Sequence, residues 1–310
     1  MSFILATGLA EGLLELGLFG VFTSLFSAVI YLFAARGLIW KRPVVFIVPA
    51  LVGLFLAVTA HCINTILSLY FVFVHLGGGV PGELFYLTLN SPLSLAHISL
   101  VEVATFIVDS LVIHRVYIVW SSNKKVIIFP LFFIVSQLVS GTHIIVDFSR
   151  ETLHNFYSLS NPWVVASLVS SLIINVYSTG MIINKMWPMS RSLERITGSR
   201  SSGKRLKRVL AVMVESAVLQ TTWTICILVS FQIGLLIQDV FTALQPVVFG
   251  ISLLLIHARV GLGWAKESLS SEATGLTVNL NTTTMRTQRP EELEDDVFER
   301  RKQWARESAV

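Results

Sequence analysis

The chain has 310 residues, of which 54% are hydrophobic and only 14% are charged. A soluble domain of this length does not need so apolar a composition, so lipid is the expected surrounding of most of the chain. Lys and Arg outnumber Asp and Glu by 23 to 19, but they lie between and after long apolar runs. That placement excludes a basic nucleic-acid-binding face and indicates membrane topology instead.

Seven apolar runs are long enough to cross a bilayer as helices, which takes about 20 residues each. They are continuously apolar rather than alternating, which favours helices over barrel strands. No Lys or Arg precedes the first run, so we expect a retained span rather than a cleaved signal peptide. The predicted fold is an all-α, seven-transmembrane helix bundle over residues 1–264, with spans at about 11–34, 44–75, 95–120, 126–146, 162–186, 208–234 and 240–262.

The distribution of basic residues predicts the orientation of the bundle. Lys and Arg cluster after the first, third, fifth and seventh spans, whereas the N-terminus and the connections at 77–94 and 147–161 carry Arg150 alone. Because cytoplasmic loops hold the excess of Lys and Arg, the N-terminus is predicted outside and the tail, 265–310, in the cytoplasm. The tail is rich in Ser, Thr and charged residues and is predicted to be largely disordered. The predicted location is the plasma membrane or an endomembrane.

Ionisable side chains within a bilayer are costly, so each one is a candidate site. Glu102 and Asp109 in the third span are seven residues apart and share a helical face. They form either a pocket wall or proton-linked switch, or a pair of carboxylates bonded to a neighbouring helix. His61, Asn64 and Ser68 share a face of the second span and are either pocket groups or interhelical polar contacts. The depth of His61 suggests a pair with Glu102.

The last two spans contribute further polar groups. Glu215 and Gln220 lie in the sixth span, and Gln245 precedes Pro246 in the seventh, where a proline frees a backbone carbonyl. These features are consistent with a movable helix in a receptor, although prolines are common in membrane helices. In the first span, Glu11 and Glu15 are one helical turn apart near the outer end. They are predicted to be interfacial rather than buried.

The inner end of the third span places Arg115 at the interface beside two aromatic residues, which fits an anchored helix end with a snorkelling arginine. The pattern Asp109, Leu111, Arg115, Tyr117, Trp120 also resembles the third-helix signature of a large, mostly uncharacterised set of seven-span membrane proteins of mushroom-forming fungi. The end of the seventh span, Arg259-Val-Gly261-Leu-Gly263, resembles a step common in that set, while His114 replaces an expected aromatic residue. The resemblance implies the architecture and not an activity.

No enzyme motif, cofactor site or metal site is predicted. There is no Asp-rich diphosphate and magnesium pair and no His and carboxylate set with metal-ligand spacing. Gly77 to Gly79 lack a following Lys-Ser or Lys-Thr and are predicted to form a turn rather than a phosphate loop. The two cysteines, Cys62 and Cys226, lie inside apolar runs and behave as small hydrophobic residues.

Three functions remain open. The leading hypothesis is a receptor-like sensor of a small or lipophilic ligand, similar in topology to G protein-coupled receptors, with a cytoplasmic signalling partner at the basic 187–207 loop and at tail hydroxyls such as Ser268. The alternative is a membrane-embedded enzyme or carrier for a hydrophobic metabolite such as a terpenoid, in which Glu102, Asp109 and Glu215 lie inside the bundle. The third is a scaffold or assembly subunit with a small-residue helix face at Gly12, Gly17 and Gly20. The candidate pocket or switch residues are His61, Asn64, Glu102, Asp109, Arg115, Glu215, Gln220 and Gln245.

Overall fold

The computed structural model of the chain describes residues 3–35, 42–88, 90–121, 123–150, 161–197, 200–234 and 237–259. Almost all of them are helical, and seven helices are long and apolar enough to cross a membrane, as predicted. The predicted tail, 265–310, and the Gly261 and Gly263 positions lie outside the described residues. The helices are α1 (Phe3–Ala35), α2 (Arg42–Tyr70), α3 (Gly79–Leu87), α4 (Pro92–Val119), α5 (Lys125–Arg150), α6 (Pro162–Thr197), α7 (Arg200–Ile233) and α8 (Ile237–Arg259).

The most buried helices are α4 and α8. In α8, 72% of the residues in the most apolar stretch are buried, against 17% in α1. The largest apolar cluster joins α1, α2, α4 and α8 through side chains such as Phe22, Leu54, Val108 and Leu253. On its other sides α4 packs against α5 and α6, and α6 packs against α7. The last helix therefore fills the middle of the bundle, and the first helix lies against its outside.

The short helix α3 was not predicted. Residues 77–94 were expected to form a loop, but among the described residues only the glycine turn at the start and Thr88, Asn90 and Ser91 before α4 are non-helical. The helix of α2 ends in a π-helical turn, Phe71–His75, and the next three glycines, Gly77 to Gly79, have φ values of +65°, +68° and +65°. Such left-handed values are open to glycine at little cost. They reverse the chain so that α3 folds back over the end of the bundle.

Two close contacts hold α3 in place. A Cβ atom at Gly82 would lie 3.0 Å from Val72 Cγ1 and 3.2 Å from Leu5 Cδ2, so α3 approaches both α2 and α1 closely at this glycine. The Phe85 ring of α3 packs on the Phe71 ring, with 5.3 Å between centroids. After α3, Ser91 caps α4 by accepting a hydrogen bond from the Ser94 backbone N–H at 3.1 Å. Serine at the cap followed by proline is a strong helix-start signal, so α4 begins earlier than position 95.

The described residues of the basic segment at 187–207 are helical and do not form a loop. Helix α6 continues to Thr197 and α7 begins at Arg200, so only residues 198 and 199 between them lie outside the described helices. Even Pro188 lies within α6. Hydropathy shows where a helix leaves the lipid but not where the helix ends. The end of the apolar run was therefore taken as the start of a loop.

Candidate functional site

A cavity of about 210 Å³ lies at the end of the bundle that contains the start of α1. All seven long helices contribute to its wall, and α3 contributes Phe85, Tyr86 and Leu87. The first turns of α1, α4, α6 and α8 line the cavity together with the last turns of α2, α5 and α7, as expected for helices that alternate in direction. Because the lining comes from every part of the sequence, no local motif could have revealed the cavity.

A hydrogen bond between α8 and α4 lies in the cavity wall. The Gln245 side-chain N–H donates to Thr105 Oγ1 at 2.9 Å, and the Thr105 hydroxyl donates to the Val101 carbonyl at 2.9 Å. Gln245 and Thr105 are both buried and both line the cavity. Pro246 is next in α8, and its missing N–H cannot bond to the carbonyl of Thr242, another lining residue.

Glu102 lies on the cavity wall as the sequence suggested, partly buried between α4, α5 and α6. The Ser167 hydroxyl donates to Glu102 Oε2 at 3.4 Å. Gly141 of α5 makes room for the carboxyl, since a Cβ atom there would lie 2.8 Å from the same oxygen. A glycine on α5 and a serine on α6 thus hold this carboxyl in position.

Tyr86 of α3 covers the cavity above α1. Its hydroxyl oxygen would lie 2.7 Å from a Cβ atom at Gly8, so only glycine leaves room for the phenol ring. Burial, together with the nearby charge of Glu11, raises the pKa of Tyr86 to about 12. The hydroxyl therefore stays protonated at neutral pH and can donate a hydrogen bond into the cavity.

Two glutamates of α1 lie deeper than the sequence suggested. Glu11 lines the cavity and is partly buried, and Glu15 is 1% exposed. The prediction that Glu15 is interfacial rather than buried is wrong. The helix α1 begins at Phe3 rather than near residue 11. That earlier start adds about two turns, so Glu11 lies roughly 12 Å along the helix instead of at its end.

Behind the cavity wall lies a buried polar group from three helices. His61 Nδ1 of α2 is 2.6 Å from Glu15 Oε1 of α1, and the His61 ring lies 4.4 Å from the ring of His97 of α4. The expected pair of His61 with Glu102 is wrong, because His61 faces α1. His97 lines the cavity, so this group touches the site through His97 alone.

Two other candidate residues lie near the cavity without lining it. The Asn64 side-chain N–H donates to the Leu93 carbonyl at 3.1 Å and ties α2 to the start of α4. Asp109 lies two turns further along α4 than Glu102, where Ser171 and Gln137 face its carboxyl. One Asp109 oxygen and both polar atoms of the Gln137 amide are buried without a hydrogen-bond partner. This polar cluster lies inside the bundle and reaches the cavity through Ser171, which lines it.

The remaining candidates lie towards the other end. Arg115 is 8% exposed and donates to the Leu253 carbonyl of α8 at 3.3 Å, so it does not snorkel. Arg115 and Gln220 line a small cavity of about 20 Å³, room for about one water. The expected position of Glu215 inside the bundle is wrong: its side chain is 75% exposed, 3.8 Å from Arg259, because that face of α7 points outward.

The glycines proposed as a scaffold face do not share one face. A side chain at Gly12 would collide with Leu69 of α2, so Gly12 is an internal contact. Gly17 and Gly20 have nothing within 4 Å of a Cβ position and face away from the bundle. The three residues therefore split between packing and the outer surface.

Several lining residues were missed by sequence reasoning: His97, Tyr86, Gln238 and Asp239. Each is unremarkable in its own segment, and Asp239 stands in what reads as a short turn. Their common signal is position, since all lie near the ends of spans on the side that lacks Lys and Arg. Among the described residues no group of three or more His, Cys, Asp or Glu side chains is arranged to hold a metal ion.

Comparison with protein-family models, with curated proteins and with solved structures finds no match to this chain. The resemblance to the fungal seven-span proteins stays a prediction. The seven long apolar helices define the class: the protein is an integral, multi-pass membrane protein with a cavity at one end of its helix bundle.

Proposed function

We propose that the protein is a receptor-like sensor that binds a small lipophilic ligand in the cavity at the N-terminal end of its bundle. The observation that carries the proposal is that all seven spans contribute to this one cavity. Its 210 Å³ exceed the ~150 Å³ that suffice for benzene and are below the ~300 Å³ where drug-sized sites begin. A ligand of roughly ten non-hydrogen atoms fits such a volume.

Two hydrogen bonds between α4 and α8 support a sensing role. Thr105 accepts from Gln245 at the cavity, and Arg115 donates to the Leu253 carbonyl nearer the other end. Residues 245 and 253 are about 12 Å apart along α8. A ligand that competes for the Gln245 amide would loosen the first bond and shift α8, and that shift would reach the second bond. Differential contact of this kind is what a conformational response requires.

The proposed orientation puts the cavity on the outside. Lys and Arg flank the opposite end of the bundle, where Lys185 Nζ lies 5.3 Å from the centroid of the Trp120 ring and the Trp120 indole N–H donates to the Met181 carbonyl. The basic segment 187–207, into which α6 and α7 extend, is the proposed binding segment for a cytoplasmic signalling partner or for anionic lipid. The plasma membrane or an endomembrane suits both roles.

The test is a thermal-shift screen of the purified protein in lipid nanodiscs against small lipophilic compounds. Each stabilising compound is retested on Val101→Phe and Val103→Phe, matched changes on α4. Val101 is buried and lines the cavity, whereas Val103 is 49% exposed and faces outward. We expect stabilisation to be lost in the first variant and kept in the second. Compounds that act equally on both variants, or no active compound at all, would overturn the proposal.

A sensor must also respond at the other end. For each compound that passes the first test, hydrogen exchange is measured on residues 113–119 of α4 and 178–186 of α6, with and without the compound. Changed exchange there supports sensing. If exchange is unchanged while the compound is bound in the cavity, the protein binds a ligand without responding to it. That result would contradict the receptor role.

A second candidate, an enzyme or carrier for a hydrophobic metabolite, is favoured by one observation. Glu102 lines a cavity rich in apolar side chains, where a carboxylic acid can protonate a bound substrate. Asp109 and Glu215 do not join it there, so the expected set of three carboxyl groups is reduced to one. Mass spectrometry of each bound compound after incubation with wild type and with Glu102→Gln tests this role, since only an enzyme yields a product that depends on Glu102. A scaffold would need no polar cavity.

A further inference from the structure

Arg115 brings a buried positive charge that no described carboxylate balances. In the described part of the chain no ion pair includes Arg115, and Glu215 points outward, 3.8 Å from Arg259. The side chains of His114 and His257 lie close enough to Arg115 for charges to interact, but an imidazole brings no negative charge. A buried charge without a counter-charge is costly, so this position favours a bound anion.

The hydrogen-bonding capacity of the Arg115 guanidinium is also largely unused. A guanidinium has several N–H donors, and the one acceptor that the described residues offer is the Leu253 carbonyl, 3.3 Å from Nη2. None of its nitrogens is among the fully buried atoms that lack a partner. The open space beside Arg115 is the small cavity that it lines between α4, α6, α7 and α8.

The small cavity has the size of one monatomic ion. Its volume is about 20 Å³, somewhat more than the ~10–15 Å³ that one water molecule needs. A halide ion is slightly larger than water. Phosphate, sulfate and carboxylate ions have several heavy atoms each and do not fit. The cavity therefore selects a small anion by volume.

The other polar groups of the lining can donate hydrogen bonds to an anion. Thr179 of α6 and Gln220 of α7 line the cavity, and neither side chain bonds to another described residue. Both polar atoms of the Gln220 amide are open to contact rather than sealed among protein atoms. Asn175 also lines the cavity and makes one long hydrogen bond, 3.5 Å to the Ala217 carbonyl. No lining residue is Asp or Glu, which favours an anion over a cation.

The nearby end of the bundle is basic. Lys185 follows the lining residue Ile183 in α6, and Lys207 and Arg208 precede the lining residue Leu210 in α7. Positive charge around the mouth of a site raises the local concentration of anions. An anion that approaches from this end is therefore attracted towards the cavity.

We infer that the small cavity binds a chloride ion. The Arg115 guanidinium supplies the charge and N–H donors, and the amides of Asn175 and Gln220 and the Thr179 hydroxyl supply the other donors. The ion links α4 to α6 and α7, while Arg115 joins α4 to α8 through Leu253. This cavity shares no lining residue with the large cavity, so the inference does not depend on the proposed sensor role.

The experiment measures the unfolding midpoint of the purified protein in nanodiscs at neutral pH. Sodium chloride, sodium bromide and sodium gluconate are compared at one ionic strength, because gluconate is too large for the cavity. Arg115→Gln removes the charge, and Gln220→Glu puts a carboxylate beside Arg115 in place of the ion. Arg259→Gln is the matched control, since it removes the same charge from a side chain that is 51% exposed and does not line the cavity.

We expect chloride and bromide to raise the wild-type midpoint above its value in gluconate by at least about 3 °C. The rise should saturate with halide concentration, as binding to one site does. Arg259→Gln should keep the whole rise, and Arg115→Gln should lose it. Gln220→Glu should have one midpoint in all three salts, at or above that of the wild type in gluconate, because its carboxylate balances Arg115.

Several outcomes would overturn the inference. Equal wild-type midpoints in chloride and gluconate would mean that the cavity holds water only. A rise that Arg115→Gln or Gln220→Glu shares with the wild type would be a general salt effect, and a rise lost in Arg259→Gln would be an effect of surface charge. If Arg115→Gln does not fold, Gln220→Glu decides, because it keeps Arg115 and its bond to Leu253.

Discussion

His61 Nδ1 and Glu15 Oε1 lie 2.6 Å apart between α2 and α1, and their side chains are 1% and 2% exposed. Few other residues of α1 are buried, so this contact is a main polar connection between the first helix and the rest of the bundle. The second oxygen of Glu15 and Nε2 of His61 are buried without partners. Each side chain of the pair is therefore the hydrogen-bond partner of the other. Removing one member leaves the other buried without that partner.

The first prediction concerns this pair. Glu15→Ala or His61→Ala should destabilise the protein by roughly 3–5 kcal/mol, since each leaves a buried polar partner alone. The double change Glu15→Leu with His61→Leu should recover most of that loss, because two apolar residues replace both partners. The measurement is thermal or denaturant unfolding of each variant in one detergent. A double variant as unstable as the singles would contradict the argument.

The second prediction concerns the packing of α8 on α1. A Cβ atom at Gly250 would lie 2.5 Å from Cε2 of Phe22, which is fully buried, so Gly250→Ala forces the ring to shift. We expect a loss of about 1–3 kcal/mol in unfolding free energy. Gly20→Ala is the control, because nothing lies within 4 Å of its Cβ position; it should be neutral or gain up to about 1 kcal/mol. Equal effects at both sites would refute the close contact.

The third prediction is a pH dependence. The pKa of Tyr86 is about 12 in the folded protein, above the ordinary tyrosine value of 10.0. A raised pKa means that the folded state holds the proton more tightly, so this stabilising contribution is complete below about pH 10 and is lost between pH 10 and 12. Tyr86→Phe removes this contribution. Over that pH range the unfolding midpoint of the wild type should fall more than that of Tyr86→Phe. If the two midpoints fall in parallel with pH, the prediction is wrong.

The fourth prediction concerns orientation. Val80 of α3 is 76% exposed at the cavity end, and Asn123 is exposed at the opposite end. In intact cells or sealed right-side-out vesicles, a membrane-impermeant maleimide should label Val80→Cys but not Asn123→Cys until the membrane is permeabilised. The unmodified chain, with buried Cys62 and partly buried Cys226, gives the background. The reverse labelling pattern would place the cavity in the cytoplasm.

The span layout was predictable because each membrane crossing is a long apolar run, and the run itself marks the helix. Errors arose where helices continue beyond the apolar run or are short. The start of α1 was placed about eight residues late, and 187–207 was predicted as a loop although α6 and α7 extend into it. The α3 helix spans only nine residues, and its position depends on contacts with Leu5 and Val72 that no local pattern shows.

The site was only partly predictable. Glu102 and Gln245 were singled out because polar groups inside spans are costly, and both line the cavity. The same reasoning selected Asp109 and Arg115, which lie elsewhere, since cost in lipid does not tell which neighbouring helix a side chain faces. Glu11, Asp239 and Gln238 were missed as site residues because the sequence placed them at or beyond the ends of the predicted spans. Only the arrangement of α1 beside α8 brings them together.

The central position of α8 affects how the protein is assembled. A ribosome releases α8 after the other six spans, yet this helix fills the middle of the bundle through residues such as Leu244, Leu253 and Leu254. Until it arrives, α1, α2 and α4 share an open groove lined by apolar side chains. Chaperones that act during membrane insertion would bind the incomplete bundle at that stage. Damage to α8 would therefore leave a chain that is inserted in the bilayer but not closed, with no cavity.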